Sequence, residues 1–140
     1  MEQVKPILLS AIICENVIFD RLTSMPSIIN ILQNINAPEY PVRHNRMVFF
    51  CELTNGHGLT DMKIKLVDSQ QGDKVLFQQV GKIEFKDVKQ IASLALNIQG
   101  LVLPHPGEFH FQLFAADTLI GERRIVCRKV KLPPKNQKPD

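Results

Sequence analysis

Apolar residues in this chain recur mainly at every second position. Met47, Phe49, Cys51 and Leu53 alternate with other residues, and Met62, Ile64 and Leu66 are separated by Lys63 and Lys65. Leu94, Leu96 and Ile98 repeat the pattern, as do Phe109, Phe111 and Leu113 around His110 and Gln112. A period of two places one set of side chains on one face of a strand, so these segments predict half-buried β-strands. Residues 75–85 add another strand, with a kink expected at Gly81. Residues 7–14 form a short continuous apolar run, read as a strand buried on both faces that resumes over 17–19. Residues 27–36 fit a helical stripe through Ile28, Ile31, Leu32 and Ile35, or a strand face through Ile29, Ile31 and Ile35. Four β-branched Ile and three Asn disfavour helix, so the segment is assigned to strand.

Turn residues divide these runs. Loops are expected at 21–26, 55–58, 68–73, 104–107 and 115–118. Residues 36–45 contain Pro38 and Pro41 and are expected to form a crossover outside any central strand. Arg123 and Arg124 interrupt the last alternating run and suggest a bulge. Seven to eight strands at this spacing, with no long helical pattern, predict an all-β, two-sheet sandwich. One domain is expected over residues 1–130. Residues 131–140, rich in Pro and Lys, are expected to be a disordered basic tail.

Composition agrees with a globular domain: 44% of the 140 residues are apolar and 22% charged. The net charge of +3 is concentrated at one end. Five basic residues and one acidic residue lie between 128 and 140, leaving the rest of the chain at −1. Nucleic acid is therefore not an expected partner, since a binding surface needs basic residues clustered on the fold. The three cysteines, Cys14, Cys51 and Cys127, suit neither a disulfide framework nor a zinc site, and they favour a reducing compartment. The apolar run after Lys5 lacks the cleavage site of a secretory leader. No run approaches the roughly 18 apolar residues of a spanning helix. A cytoplasmic protein without membrane contact is expected.

The segment Pro106-Gly107-Glu108-Phe109-His110-Phe111, the hairpin after it and Gly121-Glu122-Arg123-Arg124 resemble the closing hairpin of immunoglobulin-like sandwiches. Together with Ala11, Cys14 and Glu15, the chain resembles, over about residues 6–130, a family of small bacterial proteins filed as a domain of unknown function. The resemblance implies an immunoglobulin-like fold and a bacterial source. It implies no activity. The paired cysteines around a core Trp, found in true immunoglobulin domains, are absent.

No catalytic, cofactor-binding or metal site is expected. Gly56-His57-Gly58 is a lone G-x-G with no helix after it. The cysteines lie in predicted strands, where burial raises a thiol pKa. Of the four histidines, only His105 and His110 are expected to approach one another, and Asp61, Asp68, Asp73 and Asp87 are not clustered in sequence. These observations predict a non-enzymatic binding or assembly module with a protein partner. The alternative is a small enzyme or ligand-binding protein with a loop site using His44, His57 or His105. Strand alternation turns Val48, Phe50 and Phe114 away from the predicted core. With Tyr40 from the crossover, they define an expected contact surface and predict a homodimer or a heterologous contact through it.

Overall fold

A computed structural model describes residues 5–131. Nine strands follow one another: β1 Ile7–Phe19, β2 Pro26–Ile31, β3 Asn34–Ala37, β4 Val42–Thr54, β5 Gly58–Asp68, β6 Lys74–Phe85, β7 Ala92–Leu103, β8 Gly107–Ala115 and β9 Thr118–Lys129. A short 3-10 turn, Ser69–Gln71, joins β5 to β6. The strands form two sheets, β2-β1-β4-β7 and β3-β9-β8-β5-β6, so the fold is an all-β two-sheet sandwich. All pairings are antiparallel except β3 with β9.

The alternation read from the sequence sets the core. Met47, Phe49, Cys51 and Leu53 face Met62, Ile64, Leu66, Phe109, Phe111 and Leu113 across the sandwich, and all are buried. The rings of Phe49 and Phe111 meet with centroids 5.2 Å apart and tie the sheets together. Each such side chain contributes roughly 1.5–3 kcal/mol on full burial.

Several boundaries differ from the pattern reading. Val42–Asn45 was expected in the crossover but begins β4, the central partner of β1 and β7. Pro41 lies just before the strand, so its missing N–H removes no ladder bond. Residues 27–36 make two strands, one in each sheet. Gly81 stays in register opposite Met62, and the irregularity in that hairpin falls at Leu66/Val67. The bulge in the last hairpin lies where Leu113 and Phe114 pair with Gly121 and Leu119, not at Arg123 and Arg124. The first strand is not buried on both faces throughout: Ile13 and Cys14 are, while Ile7 and Leu9 are half exposed. The expected tail, 131–140, lies outside the described residues apart from Lys131.

Candidate functional site

Among the described residues, two buried side chains are polar or charged: Thr60 and Asp68. Asp68 ends β5 and has no solvent exposure, so its carboxylate needs partners. Its Oδ1 accepts from the Gln70 N–H at 3.0 Å, and its Oδ2 lies 2.6 Å from His105 Nε2. His105 sits in the corner between β7 and β8. Its Nδ1 lies 2.6 Å from the Pro106 carbonyl oxygen. A carbonyl and a carboxylate can only accept, so these two contacts favour the imidazolium form, which donates from both ring nitrogens. The Pro106 carbonyl and then the Asp68 carboxylate raise the His105 pKa, although burial opposes them. The His105 ring also packs on Phe109, centroids 5.2 Å apart.

The adjacent residue carries a second pair. Ser69 Oγ contacts Nδ1 of His110, on the outer face of β8. Consecutive residues of one turn thus hold the two histidines that the sequence suggested were near each other. Gly107 lets the corner close. Its φ is +140°, and a Cβ there would lie 1.6 Å from the Gln70 side-chain oxygen. Hydrolytic triads need one imidazole between hydroxyl and carboxylate. Here the carboxylate holds His105 and the hydroxyl holds His110, so the two halves of a relay are divided between two rings. No pattern in the sequence singles out Asp68, because its burial depends on a corner contributed by residues 104–107.

The other histidines lie elsewhere. His57 is exposed in the β4–β5 turn, whereas His44 is half-buried near the opposite end of β4. His44 lines an open depression with Glu15, Arg43, Asn45 and Arg46 where β1 leaves β4. The three are not brought together. Among the described residues, no group of three or more His, Cys, Asp or Glu side chains is arranged to hold a metal ion. Burial raises the pKa of Cys14, and pushes Cys51 to about 12 and Cys127 to about 11.

The expected contact surface is also divided. Val48 and Phe50 lie on the outer face of the four-stranded sheet but are 1% and 2% exposed, with Phe50 flanked in register by Ile12 and Ala95. They do not supply the exposed patch expected of them. Phe114 lies on the outer face of the other sheet, half-buried, with Lys65 Nζ 5.1 Å from its ring centroid. The Tyr40 hydroxyl donates to the Arg128 carbonyl at 2.7 Å and so ties residues 38–41 to β9 rather than covering either Phe.

Exposed apolar side chains gather instead on the β1–β2 arm. β1 pairs with β4 only as far as Cys14, and residues 16–19 pair with 26–29 alone. At the tip, Leu22 is 95% exposed and Met25 64%, beside exposed Ile18 and Phe19. The tip is held by hydrogen bonds. The Asp20 carboxylate accepts from the N–H groups of Leu22 and Thr23 at 2.8 and 2.9 Å, and Asp20 N–H donates to the Met25 carbonyl at 2.9 Å. No sequence argument singled out this tip, since residues 21–26 read simply as a loop.

The architecture and the polar corner describe a β-sandwich protein in which, among the described residues, Asp68 and Ser69 engage different histidines. The chain belongs to a family of unknown function, DUF6941, whose model matches residues 9–128. No curated protein matches it. Its backbone is similar to part of the alkylpurine DNA glycosylase AlkC of Pseudomonas fluorescens, solved bound to DNA containing an abasic site analog. The two are 10% identical with a TM-score of 0.47, and the match covers 91% of this chain but 31% of the glycosylase chain. Among the described residues, no helix is long and apolar enough to cross a membrane.

Proposed function

We propose that this protein is a non-enzymatic binding or assembly module that engages a protein partner through its β1–β2 arm. The observation that carries the reading is Leu22, displayed almost fully exposed on a hydrogen-bonded turn with Met25 and Phe19 beside it. A preorganised apolar anchor loses little conformational freedom on binding, which favours affinity. The strand order supports an immunoglobulin-like classification. β1, β4 and β7 take the places of strands A, B and E, and β5, β8 and β9 those of C, F and G. Three free, buried thiols fit the reducing bacterial cytoplasm. The bacterial source rests on the sequence resemblance.

A photo-crosslinking amino acid at position 22, introduced in the native cell, tests the reading. A discrete protein adduct is expected from position 22 and none from exposed Leu59. Equal, diffuse labelling from both positions would end it. A second reading, a small hydrolytic or ligand-binding site, draws on the Ser69–His110 contact. Labelling of Ser69 by a fluorophosphonate would favour it.

A further inference from the structure

We propose that an open depression beside the start of β3 is an oxyanion site, in which Arg123, Arg124 and Arg128 receive a phosphorylated side chain of the protein partner. The proposal rests on the binding-module reading above and names the chemistry that the partner must carry.

The depression exists because the chain changes sheets there. At Leu32 the backbone is still tied to the four-stranded sheet, its N–H donating to the Ile13 carbonyl at 2.7 Å. Two residues later it has joined the five-stranded sheet, where Asn34 pairs with Val126. Among the described residues, the β3–β9 ladder thus begins at Val126, and β9 has no paired strand on that side just before it. The opening measures about 400 Å³ and is lined by Gln33, Asn34, Arg123, Arg124, Val126 and Arg128. Strand alternation sets the cations around it. Ile125 and Cys127 point into the core, so Arg124 and Arg128 stand on the outer face of the sheet. Arg123 lies opposite the fully buried Phe111, so its stem starts on the inner face and is half-buried.

The donors around this opening are largely unspent. Among the described residues, the three guanidiniums share a single ion pair, between Arg124 and Glu108 at 3.8 Å, and both of its side chains are exposed. Glu122, the nearest carboxylate along β9, accepts instead from the Gln112 side chain at 3.0 Å. No hydrogen bond among the described residues uses the guanidinium of Arg123 or Arg128, or the side-chain amide of Gln33 or Asn34. An inward-rooted charge on a strand edge is an ordinary guard against unwanted strand pairing. That accounts for Arg123, but not for two more arginines and two amides around the same opening. Guanidinium forks bind oxyanions through paired hydrogen bonds, and a phosphate monoester offers three acceptor oxygens and close to two negative charges at neutral pH. A carboxylate offers less, and Glu108 already supplies one. The opening is a surface depression rather than an enclosed cleft, so it suits a charged group borne by a larger partner better than a small molecule buried whole. A nucleic acid would need basic residues spread over the fold. Outside residues 128–140 the chain instead carries a net charge of −1.

Titration of the full chain with a neutral peptide carrying a single phosphoserine, followed by the arginine Nε–H resonances at fixed ionic strength, provides the test. The signals of Arg123, Arg124 and Arg128 should move together and saturate, while those of Arg43 and Arg46 stay in place. Inorganic phosphate should compete, and the unphosphorylated peptide should have no effect. Arg123→Gln and Arg128→Gln, each with a wild-type unfolding midpoint, should weaken binding about tenfold, the loss expected for one charge-assisted pair. Shifts that never saturate, that spread equally over all arginines, or that the unphosphorylated peptide reproduces would overturn the proposal. Tighter binding of an oligothymidylate than of the phosphopeptide would overturn it too, and would assign the arginines to a nucleic acid. All of these outcomes leave the crosslink from position 22 unaffected, so the arm reading stands or falls by that separate measurement.

Discussion

Thr60 shows how local chemistry can oppose the fold around it. It is fully buried in β5, and its hydroxyl oxygen has no hydrogen-bond partner. A buried hydroxyl without a partner costs about 1–3 kcal/mol, and an apolar group of the same shape avoids that cost. Thr60→Val should therefore raise the urea midpoint, by about 1 kcal/mol at constant slope. A lower midpoint would show that the hydroxyl is satisfied. His105 gives the opposite case, a polar group with every donor used. Its pKa is raised above the ordinary 6.5 in the folded protein. The folded state thus binds the proton more tightly than the unfolded chain does. Its contribution is complete below 6.5 and fades as pH rises through the raised value. Stability measured by urea titration should fall with rising pH over that window, and His105→Gln should flatten the dependence. A wild-type profile already flat there would mean that the ring is not charged in the fold.

At the scale of elements, alternation was a good guide to strand faces and a poor guide to irregularities. The inward sets in β4, β5 and β8 were legible because one face of each strand meets a shared core. The bulges were not. Arg123 and Arg124 broke the polar pattern, yet the ladder runs straight through them, with Arg123 opposite Phe111 and Arg124 opposite His110. The extra residue lies nearer the turn, where the hairpin geometry must be absorbed. That turn is built from Ala116 and Asp117, with φ of +49° and +63°. A two-residue hairpin of this kind favours Asn and Gly, because a Cβ in the left-handed region costs about 1–2 kcal/mol. Ala116→Gly should consequently stabilise the protein by up to about 1 kcal/mol in thermal or urea unfolding. The candidate corner escaped the sequence reading for a related reason: Asp68, Ser69, His105 and His110 look unremarkable in their own segments. They become a cluster only when β5 and β8 pair and bring the two turns together.

At the scale of the whole molecule, the three thiols test whether the native state is as closed as the burial pattern implies. Cys14, Cys51 and Cys127 are 0%, 0% and 2% exposed, and Cys51 and Cys127 are pushed to about 12 and about 11. Thiolate is the reactive form, so both depressed access and depressed ionisation protect them. None should react with a maleimide while the protein is folded, and all three should react in denaturant. Rapid labelling of the native chain, read by mass spectrometry, would show that a strand opens on the timescale of the assay.

The pairing of β3 with β9 carries a consequence for how the chain is made. Residues 34–37 find their partners at 126–129, almost at the far end of the described chain. Native contacts between such distant segments must close a long loop before they stabilise anything, and topologies of this type fold slowly. While the nascent polypeptide emerges, β1, β2 and β4 can pair at once, but β3 must wait for β9 to leave the ribosome. During that interval Ile35, buried in the finished protein, has no cover. The vulnerable period in the making of this protein thus lasts until β9 has emerged, and chaperone demand should be set by its arrival.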